Sequence, residues 1–370
     1  MKCFKEHRKF CIFYGILILV SLISIIFTYN NHTFYQDTIV KITKVKDEYI
    51  TTEVMDYGYK EDIHNQTIQA TILNGEYKGQ TITIENEYYK GQTYSQKYHN
   101  NDEIFVSLET HNNKIRNTHI EGYKRDKYIV ILITSFILII VLIGHIKGFL
   151  SIISLIINIV LFNTIVYLNT KNISLPILSF IGAIIFSSIC LFLVSGANKK
   201  TLSATISSII GLTFTLLISM IVINITNYSG LRFENMELLT RPYEGIFISE
   251  IILGGLGAIM DISISISSSL SEMLQKAPKI TSKQLIKSGF NIGRDIMSTM
   301  INVLFFTYIC SVIPNLTILF RNGINLSSLI NSYITLEMTR ALIGAIGITL
   351  TIPISVYTTV LIYRRRDSKW

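Results

Sequence analysis

The sequence predicts an α-helical integral membrane bundle of about eight transmembrane helices, with a small extracytoplasmic β domain inserted after the first helix. Hydrophobic residues make up 49% of the 370 and charged residues only 16%, and those charges are crowded into short stretches. Apolar runs long enough to cross a hydrocarbon core of about 30 Å recur along the chain. Between the first run and the rest lies a polar segment, Tyr29 to Asp126, whose apolar residues alternate with polar ones.

The first run, Phe10 to Thr28, follows Lys2, Lys5, Arg8 and Lys9. It reads as a signal peptide or a retained anchor, and the exit Thr28-Tyr29-Asn30-Asn31 lacks a small-residue cleavage pattern, which favours the anchor. In the polar segment, Val40 and Ile42; Ile68, Ala70 and Ile72; Ile82 and Ile84; and Ile104, Val106 and Leu108 mark strands. Asn74-Gly75 and Lys78-Gly79 mark the turn between two of them. About one hundred residues with about five short strands suit an OB-like or SH3-like barrel.

Further spans follow at Tyr128 to Ile146, Phe149 to Leu168, Leu175 to Val194, Leu202 to Ile225, Ile246 to about Leu274, Asp295 to Ile313 and Met338 to Tyr363. The expected organisation is therefore an N-terminus and anchor over 1–28, the β domain over 29–126, the membrane domain over 127–363 and a tail over 364–370. An inside N-terminus places Lys147, Lys199, Lys200, Lys276, Lys279, Lys283, Lys287 and Arg364 to Arg366 in the cytoplasm. The opposite short loops carry only Lys171, Arg232, Arg241 and Arg321, as the positive-inside rule requires. Much of the net charge of +8 is thereby explained by orientation, and no nucleic-acid partner is expected. The lipid bilayer is the expected partner of the helices.

Asp261 lies in the middle of the sixth span, where a carboxylate costs several kcal/mol unless it is neutral, paired or watered. Steps of three and four give one stripe: Glu250, Gly254, Gly257, Asp261, Ser265, Ser268 and Glu272. Asp261 is about 16 Å from each terminal glutamate of that stripe, close to half a bilayer core. The stripe serves either a polar site or close helix packing. The seventh span carries a similar stripe of Ser288, Asn291, Asp295, Ser298 and Asn302, so the two helices are expected to form a polar seam with Asp261 facing Asn302 and Asp295 and Arg294 approaching Glu272. In the eighth span Glu337 and Arg340 stand three residues apart, as a helix-end salt bridge or a gate. The candidate intramembrane site is thus Asp261, Ser265, Ser268, Asp295, Ser298 and Asn302, with Glu250, Glu272, Arg294, Glu337 and Arg340 as a candidate interface or gate. Ser203, Ser207, Gly211, Thr215 and Ser219 in the fifth span read as a packing seam.

No Walker A loop and no His-Glu-x-x-His pair occurs, and the histidines show no ligand spacing, so no cofactor or metal is expected. Asp261 follows Gly257-Ala258-Ile259-Met260, which departs from the Gly-x-Gly-Asp pattern of membrane aspartyl proteases, and Asp295 falls at a different depth.

Gly254 to Met273 reads GGLGAIMDISISISSSLSEM, Ser288 to Phe306 reads SGFNIGRDIMSTMINVLFF, and Glu337 to Pro353 contains E-x-x-R, GAIG and a proline. With the NGEYKGQTITIEN stretch at Asn74 to Asn86, the chain resembles the YibE/F-like family of bacterial multi-pass membrane proteins. The resemblance implies a cell-membrane protein in which Asp261, Arg294, Asp295, Glu337 and Arg340 fall on the family's polar motif positions, and it carries over no catalytic residue. The chemistry is that of a transporter or permease for a small solute or ion, with Asp261 as its proton-linked or cation-binding carboxylate and the sixth to eighth helices as its path. The alternative is a scaffold or accessory subunit whose extracytoplasmic domain binds a protein or glycan partner.

Overall fold

The computed structural model describes residues 2–54, 60–91, 95–111, 114–226, 233 and 243–364. Arg232, Arg241, Arg365 and Arg366, used above for orientation, lie outside the described residues. The chain divides into two compact units, Met1–His145 and Ile146–Trp370. Among the described residues six helices are long and apolar enough to cross a membrane.

The first unit begins with helix α1 (Lys2–Tyr29), followed by strands β1 (Thr38–Val54), β2 (Lys60–Ile72), β3 (Thr81–Tyr89), β4 (Glu103–His111) and β5 (Lys114–Tyr123). They form one antiparallel sheet in the order β3-β2-β1-β4-β5. The long β1 is central because it pairs with β2 from Val40↔Ile72 to Val54↔Lys60 and with β4 from Thr38↔Val106 to Lys41↔Glu103. Register shifts between Ile42 and Lys44 and between Tyr49 and Thr51 interrupt its ladder with β2, and such irregularities increase strand twist and bending. Alternation decides which side chains enter the core: Val40, Ile42, Ile68, Ala70, Ile72, Ile82, Ile84, Ile104 and Val106 are buried in one cluster.

The turn between β2 and β3 uses Gly75 and Gly79 at positive φ, where a Cβ would be strained. Asn74 is buried beside it, accepting from the Ile39 amide at 2.7 Å and donating to the Asp37 carbonyl at 2.9 Å. This side chain ties the turn to the start of β1. Gln66 does the same for the segment before β4, donating to the Tyr98 carbonyl and accepting from the Tyr98 amide, both at 3.0 Å.

Helix α2 (Asp126–Asn169) spans 44 residues, about 66 Å if straight, and bends at His145, whose φ of 51° and ψ of −130° break the helical run. The bend falls where the sequence separates its second and third spans. In the first unit, α1 and the near half of α2 are joined at both ends: Tyr14 hydrogen-bonds His145, and Asn31 donates to Asp126 at 2.9 Å. Lys124, only 1% exposed, closes this end of the unit. Its ammonium lies 3.1 Å from both Glu103 and Asp126 and donates to the Thr28 carbonyl at 3.3 Å. All three of its protons therefore have acceptors.

The second unit contains the far half of α2, α3 (Leu175–Ser195), α4 (Lys199–Thr226), α5 (Tyr243–Lys276), α6 (Ser282–Arg321), the short α7 (Leu326–Leu329) with a π turn (Ile330–Ile334), and α8 (Thr335–Arg364). Helices α4, α5 and α8 pack on one another, and α6 lies against α8 and α5. Between α5 and α8 runs a ladder of hydroxyls: Ser263 with Ser355 at 3.3 Å, Ser267 with Thr359 at 3.0 Å and Ser271 with Tyr363 at 2.6 Å. Each pair is offset by 92 residues, so the two helices run in the same direction. Helix α4 packs on α8 through complementary shapes, Gly211 against Thr351 and Gly347 against Thr215, while Ser207 hydrogen-bonds Thr358. The serine, glycine and threonine stripe of α4 is thus a packing seam. Helix α6 approaches α8 on its own glycines, with Gly289 at Val356 and Gly293 at Ile352.

Candidate functional site

From Gly257 to Glu272 of α5, the carboxylate stripe and the packing face are different faces. Ser263, Ser267 and Ser271 are buried, whereas Gly254, Gly257, Asp261 and Glu272 are exposed and Ser265 and Ser268 are half-buried. The reason is angular: Asp261 is two residues from Ser263, hence about 200° around the helix from the hydroxyl ladder. The same holds on α6, where Asp295 stands two residues from the packed Gly293. Arg294, Asp295, Ser298 and Asn302 are exposed. The expected seam is therefore not closed within the chain. Among the described residues no hydrogen bond joins Asp261 to Asn302, and no ion pair joins Glu272 to Arg294. The glycine face of α6, rather than its polar stripe, makes the helix contact.

The charged groups that do converge are Glu250, Glu337 and Arg340. Arg340 is 6% exposed and pairs through one terminal nitrogen with Glu337 and through the other with Glu250. Its guanidinium carbon lies 5.1 Å from the Phe247 ring centre, a cation–π position. Tyr308 of α6 donates to the Glu250 carbonyl at 3.3 Å, and its hydroxyl occupies the space a side chain on Gly254 would need. The Glu337–Arg340 pair was legible from its spacing. Glu250, a candidate interface or gate residue in the sequence, here shares the arginine. The 92-residue offset of the parallel helices puts Glu250 level with position 342, two residues from Arg340. Tyr308 escaped the sequence reading, since a lone tyrosine within an apolar helix is ordinary.

Beside this cluster is a cavity of about 500 Å³, walled by Leu175 and Ser179 of α3, Phe162 and Ile165 of α2, Thr307 and Ser311 of α6, and the charged cluster. Its size is that of a small-molecule site. Among the described residues, Ser179 Oγ, Glu337 Oε2 and Arg340 Nε on its lining are buried without a hydrogen-bond partner, and Glu250 Oε2 has only its ion pair with Arg340. Such atoms call for water or a ligand. Two carboxylates around one guanidinium also leave an excess negative charge. Among the described residues no group of three or more His, Cys, Asp or Glu side chains converges as a metal site.

A family model for YibE/F-like protein matches residues 132–365, and one for the YibE/F family N-terminal domain matches residues 33–123. The chain belongs to the YibE/F-like family. No curated protein and no solved structure matches it. In this YibE/F-like chain the second match contains all five strands, and the first contains the whole Glu250, Tyr308, Glu337 and Arg340 cluster.

Proposed function

We propose that the chain is an integral protein of the bacterial cell membrane, with both termini cytoplasmic, and that its helical unit passes a small cationic solute, ion or proton. The cavity beside Arg340 carries this reading. Its unpartnered Glu337 oxygen and Ser179 hydroxyl, with the second carboxylate of Glu250, favour a small positively charged occupant, and the Arg340 Nε–H calls for water beside it. A cation entering there competes with Arg340 for Glu250 or Glu337, so binding and the ion-pair geometry are coupled. Asp261, about 16 Å farther along α5, supplies the next carboxylate. Ser265 and Ser268 follow it on the same stripe, and Asp295, Ser298 and Asn302 of α6 add polar groups on that helix's exposed face. Lys199, Lys200, Lys276, Lys279, Lys283, Lys287 and Arg364 mark the cytoplasmic ends. The order β3-β2-β1-β4-β5 around a long shared β1 supports an OB-like extracytoplasmic domain.

Purified protein in liposomes tests this with proton, sodium and potassium gradients and pH- or potential-sensitive dyes. Wild-type protein should dissipate at least one gradient, and Asp261→Asn and Glu337→Gln should each slow it at least about tenfold, the size of a 1.4 kcal/mol change. Equal fluxes in wild type and both folded variants would sink the transport reading.

A further inference from the structure

The two edges of the sheet, β3 and β5, face one another across a groove of about 910 Å³ lined by Gln80 to Glu85 and by Ile115 to His119. Consecutive residues from both edges line it, so its walls are strand backbones as well as side chains. β3 and β5 are not hydrogen-bonded to each other. Following the antiparallel pairs from β3 through β2, β1 and β4 to β5 shows that the two edges run in the same direction. A single extended segment running the opposite way is therefore antiparallel to both, and because β3 and β5 approach each other too closely in part for a full ladder on each side, its hydrogen bonds run along β3.

Side-chain character fits the same occupant. Ile82 and Ile84 are buried and Ile115 half-buried, giving an apolar floor, while Thr81, Thr83, Glu85, Arg116, Asn117 and His119 form an exposed polar rim. The Thr81 to Glu85 edge has no proline, lysine or register shift, the usual devices that blunt an exposed strand, whereas β5 shifts register at Arg116, so β3 is the edge open to pairing. Because the edges are parallel, Arg116 lies toward the Thr81 end of the groove and Glu85 toward the other. An antiparallel guest has its N-terminal part near Glu85 and its C-terminal part near Arg116. At about 3.3 Å per residue, five residues match the regular run from Thr81 to Glu85.

We propose that this groove takes an extended polypeptide segment by strand addition: alternating β-branched and small polar residues, basic toward the N-terminus and acidic toward the C-terminus. The site is independent of the helical cavity and of any transport through it.

The test uses full-length protein in detergent and the labelled, end-capped peptide Lys-Val-Thr-Val-Thr-Val-Glu, followed by fluorescence anisotropy. Saturable binding is expected, lost when the central valine is replaced by proline. Glu85→Lys with Arg116→Glu, both exposed, should weaken it about five- to tenfold, and a peptide with its terminal charges exchanged should recover that loss. No saturable binding, equal binding of the proline peptide, or indifference to the charge exchange overturns the proposal. So does a protein that light scattering finds dimeric and whose groove excludes the peptide, which assigns the groove to a second copy.

Discussion

Lys124 in the first unit and Arg340 in the second are both buried cations set between two carboxylates, yet their surroundings differ. Lys124 has three acceptors for three protons, and Asp126 is further supported by Asn31 and by Tyr35 at 3.0 Å. His32 lies 3.1 Å from Glu103, which adds another polar contact to that carboxylate. Among the described residues Arg340 Nε has no hydrogen-bond partner, and one oxygen of Glu337 is in the same condition, beside an open cavity. The first arrangement is a joint that holds the end of α1, the sheet and the start of α2 together. The second is an incomplete coordination shell. A buried ion pair is weak evidence of stability in itself, so what distinguishes joint from binding site is the satisfaction of the cation and its carboxylates: around Lys124 the unpartnered atom is the neutral Asn31 Oδ1, whereas around Arg340 the unpartnered atoms belong to the charged groups themselves.

The largest effect should come from breaking the Lys124 network, whose cation and carboxylates are all partnered. Lys124→Met strands Glu103 and Asp126 in a buried site and should cost the first unit about 3–5 kcal/mol. Hydrogen exchange of β4 and β5 amides in the full-length protein measures it, and unchanged protection would show that water already reaches the carboxylates. Arg340→Met should cost the helical unit less, about 1–3 kcal/mol, because the cavity lets water solvate Glu250 and Glu337. A loss equal to that of Lys124→Met, read from exchange in α5 and α8, would remove the difference between the two sites.

The smallest effect belongs to Asp47, a partly exposed version of the same motif. Burial alone would raise its pKa, but hydrogen bonds from Lys97 at 2.7 Å and Tyr88 at 2.8 Å bring it below the usual carboxylate value. A depressed folded pKa means that the stabilisation is present above about pH 4, the unfolded range, and lost as pH falls through the folded value. Asp47→Asn should therefore remove about 1 kcal/mol or less at neutral pH and flatten the acid limb of unfolding. An unchanged acid limb would exclude Asp47 as its source.

The β domain was the most legible part of the sequence, because period-two alternation around Ile82 and Ile84 and the glycines of the Asn74 to Gly79 turn are local signals. Glu337 and Arg340 were legible for the same reason. On α5, serines at 263, 265, 267, 268, 269 and 271 make several faces polar, so periodicity cannot choose the packed one. Gly289 and Gly293 held the answer for α6: small residues in four-residue steps mark the contact face, and the carboxylate opposite them is left outside. The meeting of Glu250 and Arg340 depends on the relative level of two helices far apart in sequence, which no local pattern encodes.

The hydroxyl ladder between α5 and α8 has a repeat of its own. Sliding one helix by a single turn, about 6 Å, sets Ser263 against Thr359 and Ser267 against Tyr363, again oxygen to oxygen. Hydrogen bonding alone thus does not choose between neighbouring settings of this rail. The choice falls to α4, whose interlock of Gly211 with Thr351 and Thr215 with Gly347 acts as a detent, and bulk added at Gly347 is the change that would free the rail to slip.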